Sequence, residues 1–489
     1  MSDRELTARQ GLPESSGTSD RSELIRGLGL WSATAIVIGD TIGTGIFLVS
    51  SDMARAVGSA RLVFAAWIIG GVIVLFGAFC YAELGAAFPK AGGPYVYLSR
   101  GLGSVWGFLF GWMSSFLERP VAMATLAAGF MRFMGFLFPV VMTPLFTQHF
   151  GRYEFSFTAA QPLAALVVIA VTAFNCLSVK MGGAIQVLLT SLKIGAILVI
   201  VVAGSIFGKH ASSPGAAVVA GAPFGSGTIA ALLTALVPAM WAYNGFNDLG
   251  DLGEEIERPQ KNIPRAIIMG LLTVCGLYLL ANVIYFQILP FQALAQSQHV
   301  ASDVVQSFGG WFGGSRGAAL LTIAMAISAL GALHVVILTG ARIPYAMARD
   351  GVFFQFSKRL HPSFRTPTGA LIFLGTIAAL LALSGTYEEL YSLFVFAVWI
   401  FFALTAIALI RLRVKEPELS RPYRAWGYPL SPLIFLIAAV ALTVNLWMVR
   451  PVRSTLGLLV IAGGTPFFYR WRKSAEVAAP GREHSSGKK

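Results

Sequence analysis

Residues 38–47 read IGDTIGTGIF. They sit inside an apolar run, residues 28–50, that is long enough to cross a bilayer. The stretch nevertheless carries three glycines (Gly39, Gly43, Gly45), two threonines (Thr41, Thr44) and Asp40. Glycine weakens a helix, and a charge at mid-bilayer costs several kcal/mol unless something compensates. A helix unwound at this point bares peptide N–H and C=O groups that lipid cannot satisfy, so protein or a polar ligand must fill the gap.

Around this run the chain is built almost wholly for the membrane. Of its 489 residues 56% are hydrophobic and only 12% charged, with a mean hydropathy of +0.71. A soluble protein carries about twice that charged fraction. Apolar runs at 28–50, 62–87, 105–136, 162–179, 183–207, 227–250, 265–289, 317–341, 369–385, 389–411, 431–449 and 453–471 predict an all-α polytopic membrane protein with twelve transmembrane helices. The net charge of +13 records topology and not a nucleic-acid partner. With the N-terminus inside, the tails and the loops after spans 2, 4, 6, 8 and 10 hold 26 of the 36 Lys and Arg. The opposite loops hold seven, and Arg119, Arg132 and Lys193 lie within spans. That asymmetry predicts that both termini are cytoplasmic. Residues 1–25 and 473–489 read as disordered tails. Cys80, Cys176 and Cys275 all fall in apolar runs, so neither a structural disulfide nor a disulfide-linked partner is expected.

A second interruption, WAYNGFNDLG at 241–250, recurs about two hundred residues after the first. Interrupted spans at matching places in two five-span halves predict a 5+5 inverted repeat, 26–207 and 227–411, within a transport core at 26–411, with the site where the breaks cross. Spans 11 and 12 occupy 412–472. Free amides at the start of a half-helix near Gly45 favour a carboxylate, and carbonyls of the second break favour an ammonium. The pair suits a zwitterion such as an α-amino acid. Glycines in membrane helices are otherwise explained by close packing alone.

IGTGIF (42–47) resembles the first-helix signature of the amino acid–polyamine–organocation superfamily. YAELGAAFPKAGGPYVYL (81–98), ERPVAMA (118–124), SLKIGA (191–196), WAYNGFNDLGDLGEEIERPQKNIPRAI (241–267), GARIPYAMARDGVF (340–353), HPSFRTP (361–367) and RPYRAWGYPLSP (421–432) extend the likeness over nearly all of 25–450, nearest to the L-type amino acid transporter branch. The resemblance implies a permease that moves an amino acid by alternating access, without cofactor or metal. It puts Thr44 and Gly45, with Ile42 and Gly43 beside them, at the substrate carboxylate, and the Ala242, Tyr243, Asn244 and Gly245 backbone at the ammonium. Trp241 matches an outer gate, and Asn247 a hydrogen-bond donor to substrate or to span 7.

Lys193, midway along span 5, resembles a fixed replacement for the sodium ion that related transporters hold between spans 1, 5 and 8. The alternative is a structural lysine paired with an acid. Asp40 departs from the family pattern, and three roles stay open for it: facing the cavity, pairing with Lys193 or taking up a proton. His334 is either a packed histidine or a protonation site. Glu118 and Arg119 read mainly as interhelical struts. Glu254, Glu255, Arg258 and Lys261 with Arg342 and Arg349 form either an inner ionic latch or a solvated face. The function implied is sodium-independent amino acid exchange across the cytoplasmic membrane, or else proton-coupled symport on the same fold. The six histidines are scattered, which argues against a membrane enzyme. Animal members of the L-type branch join a glycoprotein through a cysteine between spans 3 and 4; residues 137–161 here have none, which suggests a free-standing bacterial permease.

Overall fold

The computed structural model describes residues 27–90, 92–150, 153–177, 183–208, 226–308, 313–364 and 366–478. The tail at 1–25, the end of the C-terminal tail and most of the connection after Gly208 lie outside those residues. Among the described residues nine helical stretches are long and apolar enough to cross a membrane. The apolar helices at Gly227–Ala242 and Thr368–Ser384 are shorter.

The chain opens with α1 (Leu30–Thr41), breaks, and resumes as α2 (Gly45–Leu48) and α3 (Ser50–Val57). The Val49 amide bonds the Gly45 carbonyl at 2.9 Å and the Met53 amide bonds the Val49 carbonyl at 3.0 Å, so the second half runs on as helix. Next come α4 (Ala60–Ala87), the short α5 (Gly93–Gly101), α6 (Ser104–Met113) and α7 (Arg119–Leu137). Between α6 and α7 one wide π-helical turn spans Ser114–Glu118. Pro120 has no amide to donate and so cannot complete the ordinary ladder there.

The connection at 137–161, read from sequence only as a loop, forms a hairpin of β1 (Pro144–Phe150) and β2 (Tyr153–Thr158). Then follow α8 (Ala160–Leu177), α9 (Gly183–Phe207) and α10 (Ser226–Ala242). α10 stops at the second interruption, after which only a short 3-10 turn, Asp248–Leu252, precedes α11 (Pro259–Ile288). The connection after α11 carries α12 (Phe291–Gln296) and α13 (Val300–Gln306). The chain closes with α14 (Gly314–Gly340), α15 (Arg342–Arg349), α16 (Thr368–Ser384), α17 (Tyr387–Lys415), α18 (Leu430–Val449) and α19 (Pro451–Ala478). α19 passes Arg472, where the tail was expected to begin, because Ala475, Glu476 and Ala478 are helix formers and no Gly or Pro intervenes before Pro480.

Small residues set the spacing of these helices, as expected where no hydrophobic effect drives association in lipid. A Cβ on Gly77 would lie 2.5 Å from Phe435, and one on Gly101 2.6 Å from the Ala408 Cβ. The broken first span packs on α9, α10 and α11, placing it centrally.

Candidate functional site

The two interruptions lie against each other, backbone to backbone. A Cβ on Gly45 would fall 2.7 Å from the Ala242 Cα, and one on Gly245 2.8 Å from the Asp40 carbonyl carbon and the Thr41 nitrogen. Gly245 has φ +118, a conformation that L side chains rarely adopt. Glycine at both positions is therefore a requirement of the crossing.

The local chemistry of each break follows from where its ladder stops. The Ile42 amide still bonds the Ile38 carbonyl at 2.8 Å, and the Gly43 amide turns back to Thr41 at 2.9 Å. The amides of Thr44, Gly45 and Ile46 then open a new helix, where first-turn donors have no intrahelical acceptor. On the other side, among the described residues no backbone amide donates to the carbonyls of Tyr243 and Asn244. The Tyr278 hydroxyl from α11 lies 3.0 Å from both the Thr41 and the Ala242 carbonyls. Its one proton is shared between them, tying the two broken spans together.

A cavity of about 50 Å3, room for only a few waters, lies at this crossing. Asp40, Gly43, Gly45, Trp241, Asn244 and Gly245 line it, as do Glu118, Arg119, Asp248 and Phe394. Arg119 bridges Asp248 at 2.8 Å and Asp251 at 3.1 Å, both just beyond the second break. It is thus the strut expected, and in addition part of the cavity wall. Three acceptors at the wall lack a donor among the described residues: the Asp40 carboxylate, the buried Glu118 Oε2 and the buried Asn244 Oδ1.

The remaining sequence candidates fall outside the cavity lining, for separate reasons. The Lys193 ammonium, fully buried, donates to the Gly39 carbonyl at 2.6 Å. There it meets the last turn of α1, the negative end of that helix. Among the described residues its hydrogen bond goes to this carbonyl and not to the Asp40 carboxylate. Thr44 Oγ1 lies 3.0 Å from the Tyr387 hydroxyl, which accepts from Trp241 Nε1 at 2.9 Å. One relay thus runs from Trp241 through Tyr387 to Thr44, and either hydroxyl can donate in its second link. Phe394 meets the Trp241 ring edge-on at 5.0 Å, and the Arg132 guanidinium lies over the Tyr387 ring at 4.9 Å. The Tyr243 side chain points away and donates to the Trp67 carbonyl at 3.1 Å. Ile42 is buried in the core. Asn247 donates to its neighbour Asp248 at 2.6 Å. His334 packs its ring 5.7 Å from Phe174.

Further contacts flank the crossing on both sides. Above it, Tyr391 donates to Asp52 at 2.9 Å, and Arg450–Glu388 and Arg453–Glu389 pair at 2.6 Å. Below it, of the suggested ionic latch, Arg342 and Glu255 pair at 2.6 Å. The same segment holds the residues before α1 through an isolated β-bridge, since the Leu28 amide bonds the Glu255 carbonyl at 3.0 Å and the Glu257 amide bonds the Leu28 carbonyl at 2.9 Å. Sequence reasoning missed Tyr278 and Tyr387, because a tyrosine in an apolar span is unremarkable until its hydroxyl is placed.

The profile of the "Amino acid permease" family matches residues 28–464. The b(0,+)-type amino acid transporter 1 of Oryctolagus cuniculus is 30% identical over 418 residues, 82% of this chain and 79% of the relative. The Asc-type amino acid transporter 1 of Mus musculus is 29% identical over 455 residues, covering 92% of this chain and 82% of its own. The large neutral amino acids transporter small subunit 2 of Rattus norvegicus is 30% identical over 483 residues, covering 95% and 86%.

Proposed function

The chain belongs to the amino acid permease family, and from that premise we propose that it carries amino acids across the cytoplasmic membrane by sodium-independent exchange through the crossing of its two broken spans. The observation that carries this reading is the backbone contact of the breaks, with open amides at Thr44–Ile46 facing one end and open carbonyls at Tyr243 and Asn244 facing the other. The α-carboxylate sits on the amides, beside Ile42 and Gly43, and the α-ammonium on the carbonyls between Ala242 and Gly245. Lys193 supplies a fixed cation beneath the first break, so no sodium ion is required there. Counting Ser226–Ala242, Thr368–Ser384 and Pro451–Ala478 with the longer spans gives twelve, with both termini cytoplasmic and the halves 26–207 and 227–411 as inverted repeats. Alternating access then means opening either the contacts above the crossing or those below it. Trp241 is the outer gate, and its hydrogen bond to Tyr387 closes over the substrate.

The relative named a small subunit belongs, by that name, to a larger assembly. This chain has no cysteine between 137 and 161, which supports the reading that it works without a disulfide-linked partner. Proton-coupled symport is the second reading, favoured by the Asp40 carboxylate at the cavity wall and by Glu118 Oε2, which lacks a donor among the described residues. Uptake into proteoliposomes separates the two: exchange needs amino acid inside, and symport responds to a pH gradient.

Two predictions follow from the cavity wall. Trp241→Phe removes one hydrogen bond of about 1 kcal/mol and should lower uptake about fivefold. Uptake by the variant equal to that of the native protein would remove the gate. The three unpartnered acceptors favour a substrate side chain that donates, above all a cationic one. Lysine or arginine should therefore compete better for labelled uptake than leucine, and Glu118→Gln should cut that preference about tenfold, as expected for one charge-assisted hydrogen bond. Equal competition by neutral and cationic amino acids would reject the preference.

A further inference from the structure

We propose that the outer face of α8 and α16 is a seat for one anionic phospholipid, its acyl chain in an apolar groove and its phosphate at Arg359. The groove, about 590 Å3, is lined by Ala165, Ile169, Thr172 and Cys176 from α8 and by Gly375 and Ala379 from α16, among others. A second cavity of about 640 Å3 continues from it, sharing Ile372 and Thr376 and reaching Phe356, Arg359 and Thr368. The Thr366 hydroxyl donates to the Cys176 carbonyl at 2.7 Å, holding the adjacent ends of α8 and α16 together beside this second cavity.

Small residues explain why a hollow forms here. A Cβ on Gly375 would lie 2.5 Å from Thr172 Oγ1, so the helices approach closely at that point. To either side Ile169, Leu177, Ile372 and Leu380 stand more than half exposed and form the rims. A trough with such walls lies at hydrocarbon depth, where its natural occupant is an acyl chain and not water.

The end of the trough selects the headgroup. Lys358 and Arg359 are exposed, and no ion pair holds either among the described residues. They sit on the side where Lys and Arg accumulate, next to Phe356, Leu360 and Phe364, which are each about two-fifths exposed. Basic residues at the mouth of an interhelical groove, with aromatic side chains at headgroup level, match an anionic headgroup better than a zwitterionic one. A membrane helix, from a second copy or another protein, would fill the apolar trough but would leave Arg359 without a partner.

The test reads bound lipid, so it succeeds or fails apart from amino acid transport. Purified full-length protein is exposed to mixed micelles of phosphatidylcholine and phosphatidylglycerol, and retained lipid is counted by native mass spectrometry. The native chain should keep phosphatidylglycerol in preference. Lys358→Ala with Arg359→Ala should weaken that retention about fivefold for each charge removed, leaving phosphatidylcholine unchanged. Thr376→Phe, at an exposed position shared by both cavities, should displace either lipid while the protein stays monodisperse. Equal retention of the two lipids by the native chain, unchanged retention in the variants, or a dimer cross-linked through Thr376→Cys with no lipid bound would each overturn the proposal.

Discussion

Lys193→Ala is expected to reduce amino acid uptake by about ten- to a hundredfold while the protein remains folded. The ammonium is buried and makes a 2.6 Å bond to the Gly39 carbonyl in the last turn before the first break. A hydrogen bond to a charged group contributes about 1.5–3 kcal/mol, and its loss leaves that carbonyl without a donor next to the substrate amides. Fold and function separate because the lysine touches one backbone atom of a helix that α11 and α14 also hold. Proteoliposome uptake, with monodispersity and thermal unfolding measured on the same preparation, checks both halves. The native chain should show the same uptake with and without sodium. Sodium-stimulated uptake by the native chain, or full uptake by Lys193→Ala, would show that this cation has no such role.

Gly245→Ala should be more damaging to the fold. The new methyl group would meet main-chain atoms of Asp40 and Thr41 at 2.8 Å, and main chain cannot swing aside as a side chain does. A φ of +118 adds about 1–3 kcal/mol of strain for any residue with a Cβ. Expected are a lowered unfolding temperature and uptake near background. Gly43→Ala is the stability control, because its methyl would meet only Leu126 Cδ2 at the ordinary distance of 3.6 Å. Equal stability of the two variants would mean that the breaks do not touch as described.

How far these features could be read beforehand depends on whether their cause was local. Gly43, Thr44 and Gly45 announce a break because residues so close in sequence weaken the helix by themselves. Gly245, within WAYNGFNDLG, does the same. Lys193 was legible because a charge in mid-span demands a partner, although its partner, the Gly39 carbonyl 154 residues away, was not. The Tyr387 relay and the Tyr278 bridge arise from tertiary placement of ordinary residues, and nothing in their neighbours signals them. The cavity role of Glu118 and Arg119 was hidden for the same reason, since the Arg119 partners Asp248 and Asp251 lie about 130 residues on. The hairpin at 144–158 left a faint trace in the alternation of Tyr153, Phe155 and Phe157, overshadowed by the apolar spans on both sides.

The central claim is that backbone groups at the two breaks hold the charged ends of an amino acid. Competition against labelled uptake tests it most directly, using the exchanged amino acid and two relatives with the same side chain. One relative has its α-carboxylate converted to an amide, and the other lacks its α-amino group. The account predicts that the parent amino acid competes and that both altered compounds fail. Competition by either of them as effective as that of the parent would contradict it.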